Sequence, residues 1–497
     1  MKTVRCIIDK DYTIAEVDDN LYGSFIEQLG RAVYTGIYEP SHKSADEQGF
    51  RQDVLALVQQ LSVPIVRYPG GNFVSGYNWT DGIGPVKNRP RRLDYAWGAV
   101  ESNRIGIDEF IDWCKKANVK PMAAVNLGTG TPKDAGYMLE YCNHPEGTYW
   151  SDLRIKNGHK DPHNIKTWCL GNEMDGPWQI CSLSAPDYGK KARETAKIMK
   201  WIDPSIKLVA CGSAGPWMDT YPEWDRVVLE HTYEQVDYIS MHRYYENEGN
   251  IENFLASYAD MDHFIKTVAA TADYVKAKMK SKKKMQISFD EWNIWYTKDE
   301  KSSSWIEAPT ILEDQYSLLD ALVFGGMLCT LLNNSDRVKM ACLAQLVNVI
   351  APIVTERGGR TLKQSTYYPF QQVSCYGRGT ALKTLVRCEK LNTSLYGEVP
   401  SVQTAAVYDM EAGAIAVFVL NCEMEENTEF TMDLRSFGKV GMVEHSILNG
   451  PDLFAKNTFD EPMLVVPKNV APVNGDKLFK VILPKLSWHV FRFLLEK

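Results

Sequence analysis

The stretch Ile165-Lys-Thr-Trp-Cys-Leu-Gly-Asn-Glu173 is a short apolar run that ends in an amide and a carboxylate. A second stretch, Met285-Gln-Ile-Ser-Phe-Asp-Glu291-Trp-Asn293, has the same form. Each run is typical of a strand that is buried on both faces, as in a parallel sheet. The tip of such a strand has no structural use for an ionised carboxylate, because desolvating the charge is costly. The two stretches therefore predict parallel strands that carry functional carboxylates at their ends.

The surrounding segments repeat the same unit from about residue 20 to residue 345. Eight predicted strands, with a helical segment in each gap between them, imply a parallel sheet. Eight units favour an α/β fold that closes into a (β/α)8 TIM barrel, completed by a helix after Gln345, over an open doubly wound sheet. The predicted strands are 21–27, 63–68, 120–127, 165–173, 207–212, 236–244, 285–291 and 337–345, and the predicted helices are 50–61, 108–118, 132–142, 186–202, 221–231, 262–280 and 312–332.

After about residue 380 the sequence pattern changes to short strands separated by turn residues, without helical periods. This pattern is typical of an all-β sandwich. Residues 3–8 precede the barrel and are expected to pair into that sandwich. The predicted domains are a barrel over residues 16–380 and a C-terminal sandwich over residues 381–497, completed by residues 1–15. The predicted strands of the sandwich are 405–409, 414–421, 430–434, 477–483 and 488–494.

The bulk composition is that of an ordinary globular protein, with 44% hydrophobic and 24% charged residues among 497. A net charge of −8, without any block of Lys and Arg, argues against nucleic acid as a partner. No apolar run reaches the roughly 18 residues that a membrane span needs, so we expect no membrane partner. Charges at Asp9, Lys10 and Asp11 interrupt the first apolar run, which therefore lacks the core of a secretory signal.

The cysteines predict a reducing compartment. They number eleven, an odd count, and most lie in apolar segments, where a cysteine usually acts as a small buried hydrophobe. There is no Cys-x-x-Cys and no combined cysteine and histidine cluster with zinc spacing. We therefore expect a cytoplasmic protein without a bound metal.

The carboxyl ends of the predicted strands are polar in seven of eight cases. In a TIM barrel the reactive groups gather at these ends. A set of amides, carboxylates and aromatic rings suits a neutral polyhydroxylated ligand, because carboxylates and amides bond hydroxyl groups and aromatic faces cover C–H surfaces. The candidates at the strand ends are Glu27, Asn72, Asn172, Glu173, His242, Tyr244, Glu291 and Gln345, and Trp97, Trp178 and Trp295 lie in the loops that follow strands two, four and seven.

Structural explanations compete with this interpretation. Either glutamate alone would also fit beside a helix N-terminus, and His242 would also fit as a hydrogen-bonded core histidine. Gly70 and Gly71 would also fit an ordinary turn. Two carboxylates within a polar rim, however, match the acid and the nucleophile that cleave a glycosidic bond. The sequence contains no His-Glu-x-x-His, Gly-x-Ser-x-Gly, Walker or complete dinucleotide motif, so we expect no cofactor.

At these residues the chain resembles glycoside hydrolase family 51, the intracellular α-L-arabinofuranosidases. The resemblance is carried by Arg67-Tyr-Pro-Gly-Gly-Asn-Phe-Val-Ser-Gly-Tyr-Asn-Trp79 and by Trp168-Cys-Leu-Gly-Asn-Glu-Met-Asp-Gly-Pro-Trp-Gln179. Residues 23–34, 290–293, 344–352 and 485–488 extend it nearly from end to end. The resemblance implies a TIM barrel, and a β-sandwich that uses both chain ends. It also implies a retaining mechanism without a cofactor and assembly as a homo-hexamer.

By motif match, the resemblance implies that Glu173 is the acid/base and Glu291 the nucleophile. It implies that the arabinofuranose ring is held by Glu27, Asn72, Asn172, Tyr244 and Gln345, and we add His242 and Trp295 to the predicted substrate-binding residues.

Two positions depart from the family pattern. Gln28 stands where the family usually has histidine, which predicts a change in the support of Glu27 and leaves the sugar site itself intact. Arg243 stands where family members have smaller residues, which predicts a difference on the leaving-group side.

The sequence thus predicts an exo-acting enzyme that releases terminal arabinofuranose from arabino-oligosaccharides or arabinoxylan fragments. The same mechanism on another sugar, as a β-xylosidase or an endoglucanase, stays open, because the α-L-furanoside and the β-D-pyranoside of xylose present similar groups. A non-catalytic carbohydrate-binding protein is the alternative from a different class. A retaining enzyme would hold its two carboxyl groups about 5–5.5 Å apart, and an inverting enzyme roughly 6.5–9.5 Å apart.

Overall fold

The computed structural model describes residues 1–298, 300, 302, 304–475 and 477–496. In chain order, the strands among them are β1 (Lys2–Glu16), β2 (Gly23–Phe25), β3 (Ile65–Tyr68), β4 (Arg92–Asp94), β5 (Ala99–Glu101), β6 (Lys120–Val125), β7 (Thr167–Leu170), β8 (Lys207–Ala210), β9 (Tyr238–Tyr245), β10 (Gln286–Ile294), β11 (Val338–Ala344), β12 (Ile353–Thr355), β13 (Thr361–Lys363), β14 (Thr380–Arg387), β15 (Lys390–Thr393), β16 (Gly397–Pro400), β17 (Val402–Asp409), β18 (Ala414–Asn421), β19 (Thr428–Asp433), β20 (Val440–Leu448), β21 (Lys468–Val470), β22 (Leu478–Leu483) and β23 (Ser487–Leu495).

The α-helices are, in the same order, α1 (Gln52–Gln60), α2 (Ile107–Ala117), α3 (Pro132–Asn143), α4 (Tyr149–Lys156), α5 (Ala185–Ile202), α6 (Glu223–Thr232), α7 (Ile251–Leu255), α8 (Ser257–Met279), α9 (Leu318–Asn333) and α10 (Tyr367–Tyr376). Short 3-10 helices cover Asp19–Tyr22, Asn72–Gly76, Trp79–Gly82, Val86–Asn88 and Arg435–Phe437. None of the helices in this part of the chain is long and apolar enough to cross a membrane.

Eight of the strands form a closed parallel barrel in the order β10-β11-β2-β3-β6-β7-β8-β9. All eight predicted strands are present and at least one helix lies in every gap, so the predicted TIM barrel is confirmed. The predicted helix 312–332 was wrong at its start, because α9 begins only after Ser317. Ser317 caps this helix: its hydroxyl accepts from the backbone N–H of Asp320, whose carboxylate accepts from the N–H of Ser317 in return.

The C-terminal part forms a nine-stranded sheet in the order β21-β20-β23-β18-β17-β14-β1-β19-β22. The N-terminal β1 lies within it, antiparallel to β14 and parallel to β19. Phe479 of β22 and Phe493 of β23 have ring centroids 4.8 Å apart, although five strands separate β22 from β23 within the sheet. The sheet therefore folds over one apolar core, which gives the all-β sandwich that the sequence predicts.

Helix α9 joins the barrel to this sheet. It is apolar on all sides and buried along nearly its whole length, as expected of a helix between two layers. Gly325 lies against the indole of Trp488, where an added Cβ would come within 2.5 Å of the ring. Asn333 donates to the carbonyl of Thr404 at 2.9 Å. These contacts support the barrel from behind the strands that carry the candidate site.

A pair of buried histidines in the sheet predicts acid sensitivity. His445 Nε2 lies 3.0 Å from His489 Nδ1, and His489 Nε2 lies 2.8 Å from the hydroxyl of Ser487. Burial lowers the pKa of His445 to about 4, and burial followed by the nearness of His445 lowers the pKa of His489 well below its usual value. The unfolded chain therefore binds more protons than the folded chain below a pH of about 6.5.

We expect the free energy of unfolding to fall by about 1–2 kcal/mol more between pH 7 and pH 5 in the wild type than in His445→Phe. The phenyl ring can keep the stack of His445 on Phe491, whose centroid distance is 4.3 Å, but it cannot bind a proton. Urea unfolding at both pH values measures the difference. His263→Gln, at an exposed position of α8, is the control and should keep the wild-type pH dependence. Equal slopes in wild type and His445→Phe would contradict the assignment.

Candidate active site

A cavity of about 340 Å³ lies at the carboxyl ends of the barrel strands. A larger cavity of about 540 Å³ lies elsewhere, where Pro64 and Lys120 mark the amino ends of the strands, and its lining contains neither carboxylate nor histidine. The chemistry is therefore concentrated in the smaller cavity. Of the nine predicted site residues, two, Asn172 and His242, lie directly behind this cavity. The other seven line it: Glu27, Asn72, Glu173, Tyr244, Glu291, Trp295 and Gln345.

The two glutamates face each other across the cavity. One carboxylate oxygen of Glu173, one of Glu291 and a ring nitrogen of His242 all lie within 4.8 Å of one another. This spacing belongs with the shorter range, about 5–5.5 Å, in which one carboxylate can attack the carbon whose leaving group the other protonates. It is too short for the roughly 6.5–9.5 Å that a water molecule needs between an acid and a base.

Glu291 is held by two hydrogen-bond donors. Arg67 donates to Oε1 at 2.7 Å, and the hydroxyl of Tyr244 donates to Oε2 at 2.7 Å. The guanidinium of Arg67 is fully buried, and it also donates to Oδ1 of Asn172 at 2.7 Å. Sequence reasoning did not select Arg67, although a charged residue in the apolar run Ile65–Tyr68 is a detectable sign of a buried ionic partner.

Glu173 follows β7 with a backbone φ of 41°, in the left-handed region that few side chains adopt. Its Oε2 accepts from the indole N–H of Trp178 at 2.6 Å, and its Oε1 lies 2.9 Å from Nδ1 of His242. The side chain remains partly exposed to the cavity. Glu173 is therefore oriented by two donors and accessible to a ligand.

His242 carries a positive charge at neutral pH. Its Nε2 lies 3.1 Å from Oδ1 of Asp290, opposite the contact with Glu173. Burial alone would lower the pKa of His242, but the charge of Glu291 and the hydrogen bonds to Asp290 and Glu173 outweigh it and raise the pKa to about 10. Both ring nitrogens therefore donate. The charged ring cannot act as a metal ligand, although Glu173, His242 and Glu291 lie close enough together to hold an ion.

A register shift in β10 explains how Asp290 and Glu291 both reach the site. Successive side chains of a regular strand point to opposite faces, so adjacent residues cannot share one environment. The pairing of β10 with β9 skips between Ser288 and Glu291, as at a β-bulge. Asp290 thus contacts His242, while Glu291 contacts Tyr244. Asp290 was not predicted, because a bulge leaves no clear signal in the sequence.

Glu27 closes the far side of the cavity. Its Oε1 accepts from the backbone N–H of Phe73 at 2.9 Å and from the indole of Trp97 at 3.0 Å, while its own N–H donates to Gln345. Burial raises the pKa of Glu27 to about 8 in spite of these donors. Gly71 packs directly on this carboxylate, where an added Cβ would come within 2.2 Å of Oε2.

The aromatic rim surrounds the carboxylates. Tyr244 and Trp295 pack edge to face with their centroids 5.0 Å apart. Trp178 and Trp217 line the mouth of the cavity, where they are 41% and 53% exposed. Trp217 lies in the loop after strand five, which the sequence did not single out. Solvent-exposed indoles at the mouth, beside Glu173, suit a second sugar ring.

The two departures from the family pattern lie outside the carboxylate cluster. The amide of Gln28 donates to the hydroxyl of Tyr68 and to the carbonyl of Ile105, at 3.0 Å each. The guanidinium of Arg243 lies 5.3 Å from the ring centre of Trp217 and pairs with Asp260 at 2.7 Å. Arg243 therefore supports an indole at the cavity mouth.

A closed (β/α)8 barrel with a facing pair of glutamates at its carboxyl ends defines a glycoside hydrolase. Two family models match the chain: the α-L-arabinofuranosidase 1 domain over residues 57–266 and the α-L-arabinofuranosidase C-terminal domain over residues 290–487. The chain belongs to the α-L-arabinofuranosidases of glycoside hydrolase family 51.

Individual relatives are similar to this chain over nearly their whole lengths. The chain is 53% identical to an intracellular exo-α-(1→5)-L-arabinofuranosidase of Bacillus subtilis, over 99% of both chains. It is 47% identical to an exo-α-(1→6)-L-arabinofuranosidase of Bifidobacterium longum, over 97% of this chain and 96% of the relative. The solved structure of a family 51 α-L-arabinofuranosidase from Bifidobacterium longum superimposes with a TM-score of 0.96 at 41% identity, covering 99% of this chain and 100% of the other.

Arg67 gives a test of the site's electrostatics. Arg67→Met should destabilise the fold by about 3–5 kcal/mol, because it removes the cation that is hydrogen-bonded to the buried carboxylate of Glu291. Arg91→Met removes an exposed arginine that pairs with Glu307 at 3.4 Å, and it should cost less than about 1 kcal/mol. Denaturant unfolding of the two variants measures the difference. Similar costs for both would show that the buried contact does not hold the site together.

Proposed function

We propose that this protein is a retaining, exo-acting α-L-arabinofuranosidase that releases terminal arabinofuranose from arabino-oligosaccharides or arabinoxylan fragments. The observation that carries the proposal is the close approach of Glu173 and Glu291 inside one aromatic-rimmed cavity. The names of the relatives support the sugar, and the buried wall around Glu27 supports attack at a chain end. No cofactor enters the proposal.

In the first step, Glu173 protonates the departing oxygen while Glu291 attacks the anomeric carbon. The C–O bond to the leaving group breaks as the ester bond to Glu291 forms, with inversion from α to β. Arg67 and Tyr244 orient Glu291 by their hydrogen bonds to its two oxygens. The product of this step is a β-arabinosyl-enzyme and a free alcohol.

In the second step, Glu173 accepts a proton from water, which attacks the anomeric carbon and releases Glu291. The second inversion restores the α configuration. Esterification has meanwhile removed the negative charge of Glu291, which lies within 4.8 Å of Glu173. Glu173, which has just given its proton to the leaving group, therefore no longer faces the charge of Glu291 when it acts as the base.

We assign the sugar hydroxyls to the polar residues of the wall. Glu27, Asn72 and Gln345 line the cavity. Asn172 lies behind its wall and accepts a hydrogen bond from Arg67. Their carboxyl and amide groups suit hydroxyl recognition, whereas the ring of Trp295 suits the C–H face of the sugar.

A panel of aryl glycosides tests the proposed activity. We expect rapid release of the aryl group from the α-L-arabinofuranoside and slow or absent release from the β-xyloside and the β-glucoside. Dominant xyloside or glucoside turnover would support the alternative enzymes, and the absence of turnover would support a binding protein. Linkage-defined arabinobioses then distinguish the (1→5) from the (1→6) preference.

Azide rescue distinguishes the roles of the two glutamates. Glu173→Ala should react with an activated aryl arabinofuranoside and accumulate the arabinosyl-enzyme, which azide then attacks from the vacated side. Two inversions give the α-azide. In Glu291→Ala, azide takes the place of the nucleophile and displaces once, which gives the β-azide. Nuclear magnetic resonance of the products identifies the anomers. The same anomer from both variants, or the reverse assignment, would contradict the roles.

The raised pKa of Glu27 predicts that substrate affinity depends on pH. Below a pH of about 8 its carboxyl group is protonated and can donate to a sugar hydroxyl. The KM of the wild type should therefore rise up to about 10-fold between pH 7 and pH 9. The KM of Glu27→Gln should stay flat, because an amide cannot ionise. Initial rates at both pH values provide the measurement, and an unchanged pH dependence in Glu27→Gln would remove Glu27 from this role.

We further propose a cytoplasmic homo-hexamer in which residues 16–380 and 381–497, the latter completed by residues 1–15, are the two domains. The names of several relatives contain the word intracellular, which supports the compartment. The family resemblance supports the hexamer. Light scattering should give six times the chain mass of 56.3 kDa, whereas the mass of a single chain would contradict the assembly.

A further inference from the structure

A second cluster of ionisable groups lies in the helical layer, away from the catalytic cavity. Asp108, His159 and His163 each place one donor atom within 4.8 Å of the others. Nε2 of His163 lies 2.7 Å from one carboxylate oxygen of Asp108, and Nε2 of His159 lies 3.8 Å from the other. Donors that bind tetrahedral zinc at about 2.0–2.1 Å are about 3.3 Å apart, and the two distances bracket that value.

The local sequence builds this cluster from two segments. Asp108 lies in the first turn of α2, whereas His159 and His163 lie between α4 and β7 with the His-x3-His spacing found in zinc sites. The guanidinium of Arg154 is fully buried and donates to the carbonyls of His159 and Lys160, so that it fixes the backbone that carries the histidines. The donor atoms therefore converge without any rearrangement of the chain.

The carboxylate also has the outer contacts of a metal ligand. The hydroxyl of Tyr141 donates to Oδ2 of Asp108 at 2.7 Å, and Asn157 donates to Tyr141 at 3.1 Å. Such contacts orient metal ligands in known sites. Burial alone would raise the pKa of Asp108, but the hydrogen bond with His163 outweighs it and holds the pKa below its usual value. The carboxylate is therefore ionised at neutral pH.

A simple ion pair explains only part of this arrangement. One histidine would suffice as a partner for the carboxylate of Asp108, and His163, with a side chain 2% exposed, already lies 2.7 Å from it. His159 brings a second imidazole to the same carboxylate, with its ring 5.1 Å from that of His163. Its side chain is 22% exposed, which leaves a path for an ion from solvent.

We propose that Asp108, His159 and His163 bind one divalent transition-metal ion, with zinc as the best match to two imidazoles and a carboxylate. The ion would join α2 to the segment that leads into β7, the strand before Glu173. None of its three ligands lines the catalytic cavity, so the ion stabilises the fold and takes no part in hydrolysis. The proposal replaces the expectation of a metal-free protein, which rested on cysteine motifs.

Zinc titration of the metal-free, full-length enzyme by calorimetry tests the site. We expect one zinc ion per chain, with binding about 100-fold weaker or absent in His159→Gln. His263→Gln removes an exposed histidine of α8 and should bind zinc as the wild type does. Zinc should also raise the melting temperature of the wild type and of His263→Gln, but not that of His159→Gln.

Two further measurements separate this site from other binding. Tyr141→Phe keeps all three ligands and should weaken zinc binding about 10-fold or more. Zinc should leave arabinofuranoside hydrolysis unchanged, and so should His159→Gln. The absence of zinc binding up to about 1 mM, or equal binding by wild type and His159→Gln, would overturn the proposal. Binding that survives His159→Gln and inhibits hydrolysis would place the ion at the carboxylates of Glu173 and Glu291 instead.

Discussion

The catalytic end of the barrel depends on the balance between buried carboxylates and buried cations. The carboxylates of Glu173, Asp290 and Glu291 surround the buried ring of His242. Such a concentration of negative charge would be prohibitive without compensation. Arg67 and protonated His242 supply it, each contacting more than one of the acidic or amide groups. The contacts that compensate the negative charge of the cluster also orient each carboxylate.

This balance assigns a different environment to each glutamate. Glu291 is bonded on both oxygens by fixed donors from barrel strands, which suits a nucleophile that must stay ionised. Glu173 is bonded by the partly exposed Trp178 and by His242, and it opens toward the mouth of the cavity, which suits a group that exchanges protons. Glu27 is buried without a cation, and burial keeps it protonated at neutral pH. The three carboxyl groups of one cavity thus suit three roles: attack on the sugar, proton exchange and donation to a sugar hydroxyl.

The barrel was predictable because each strand is a short apolar run between helical segments, and the polar ends of these runs pointed to the cavity residues. The features that escaped prediction depend on local irregularity or distant contacts. The bulge in β10 makes Asp290 a partner of His242, and β20 was missed because a bulge between Met442 and Glu444 interrupts its alternation. Asp108 meets His159 only after helices pack. Periodicity alone contains no information of this kind.

In the proposed mechanism, Glu291 forms a covalent bond to the sugar, and Glu173 first donates and then accepts the proton. The most direct measurement is mass spectrometry of Glu173→Ala, quenched with acid during reaction with an activated aryl arabinofuranoside and then digested. The account predicts that the peptide containing Glu291 gains the mass of one arabinosyl residue, because the variant forms the ester and lacks the base that hydrolyses it. An adduct on another peptide, or turnover without any adduct in a burst-phase experiment, would contradict it.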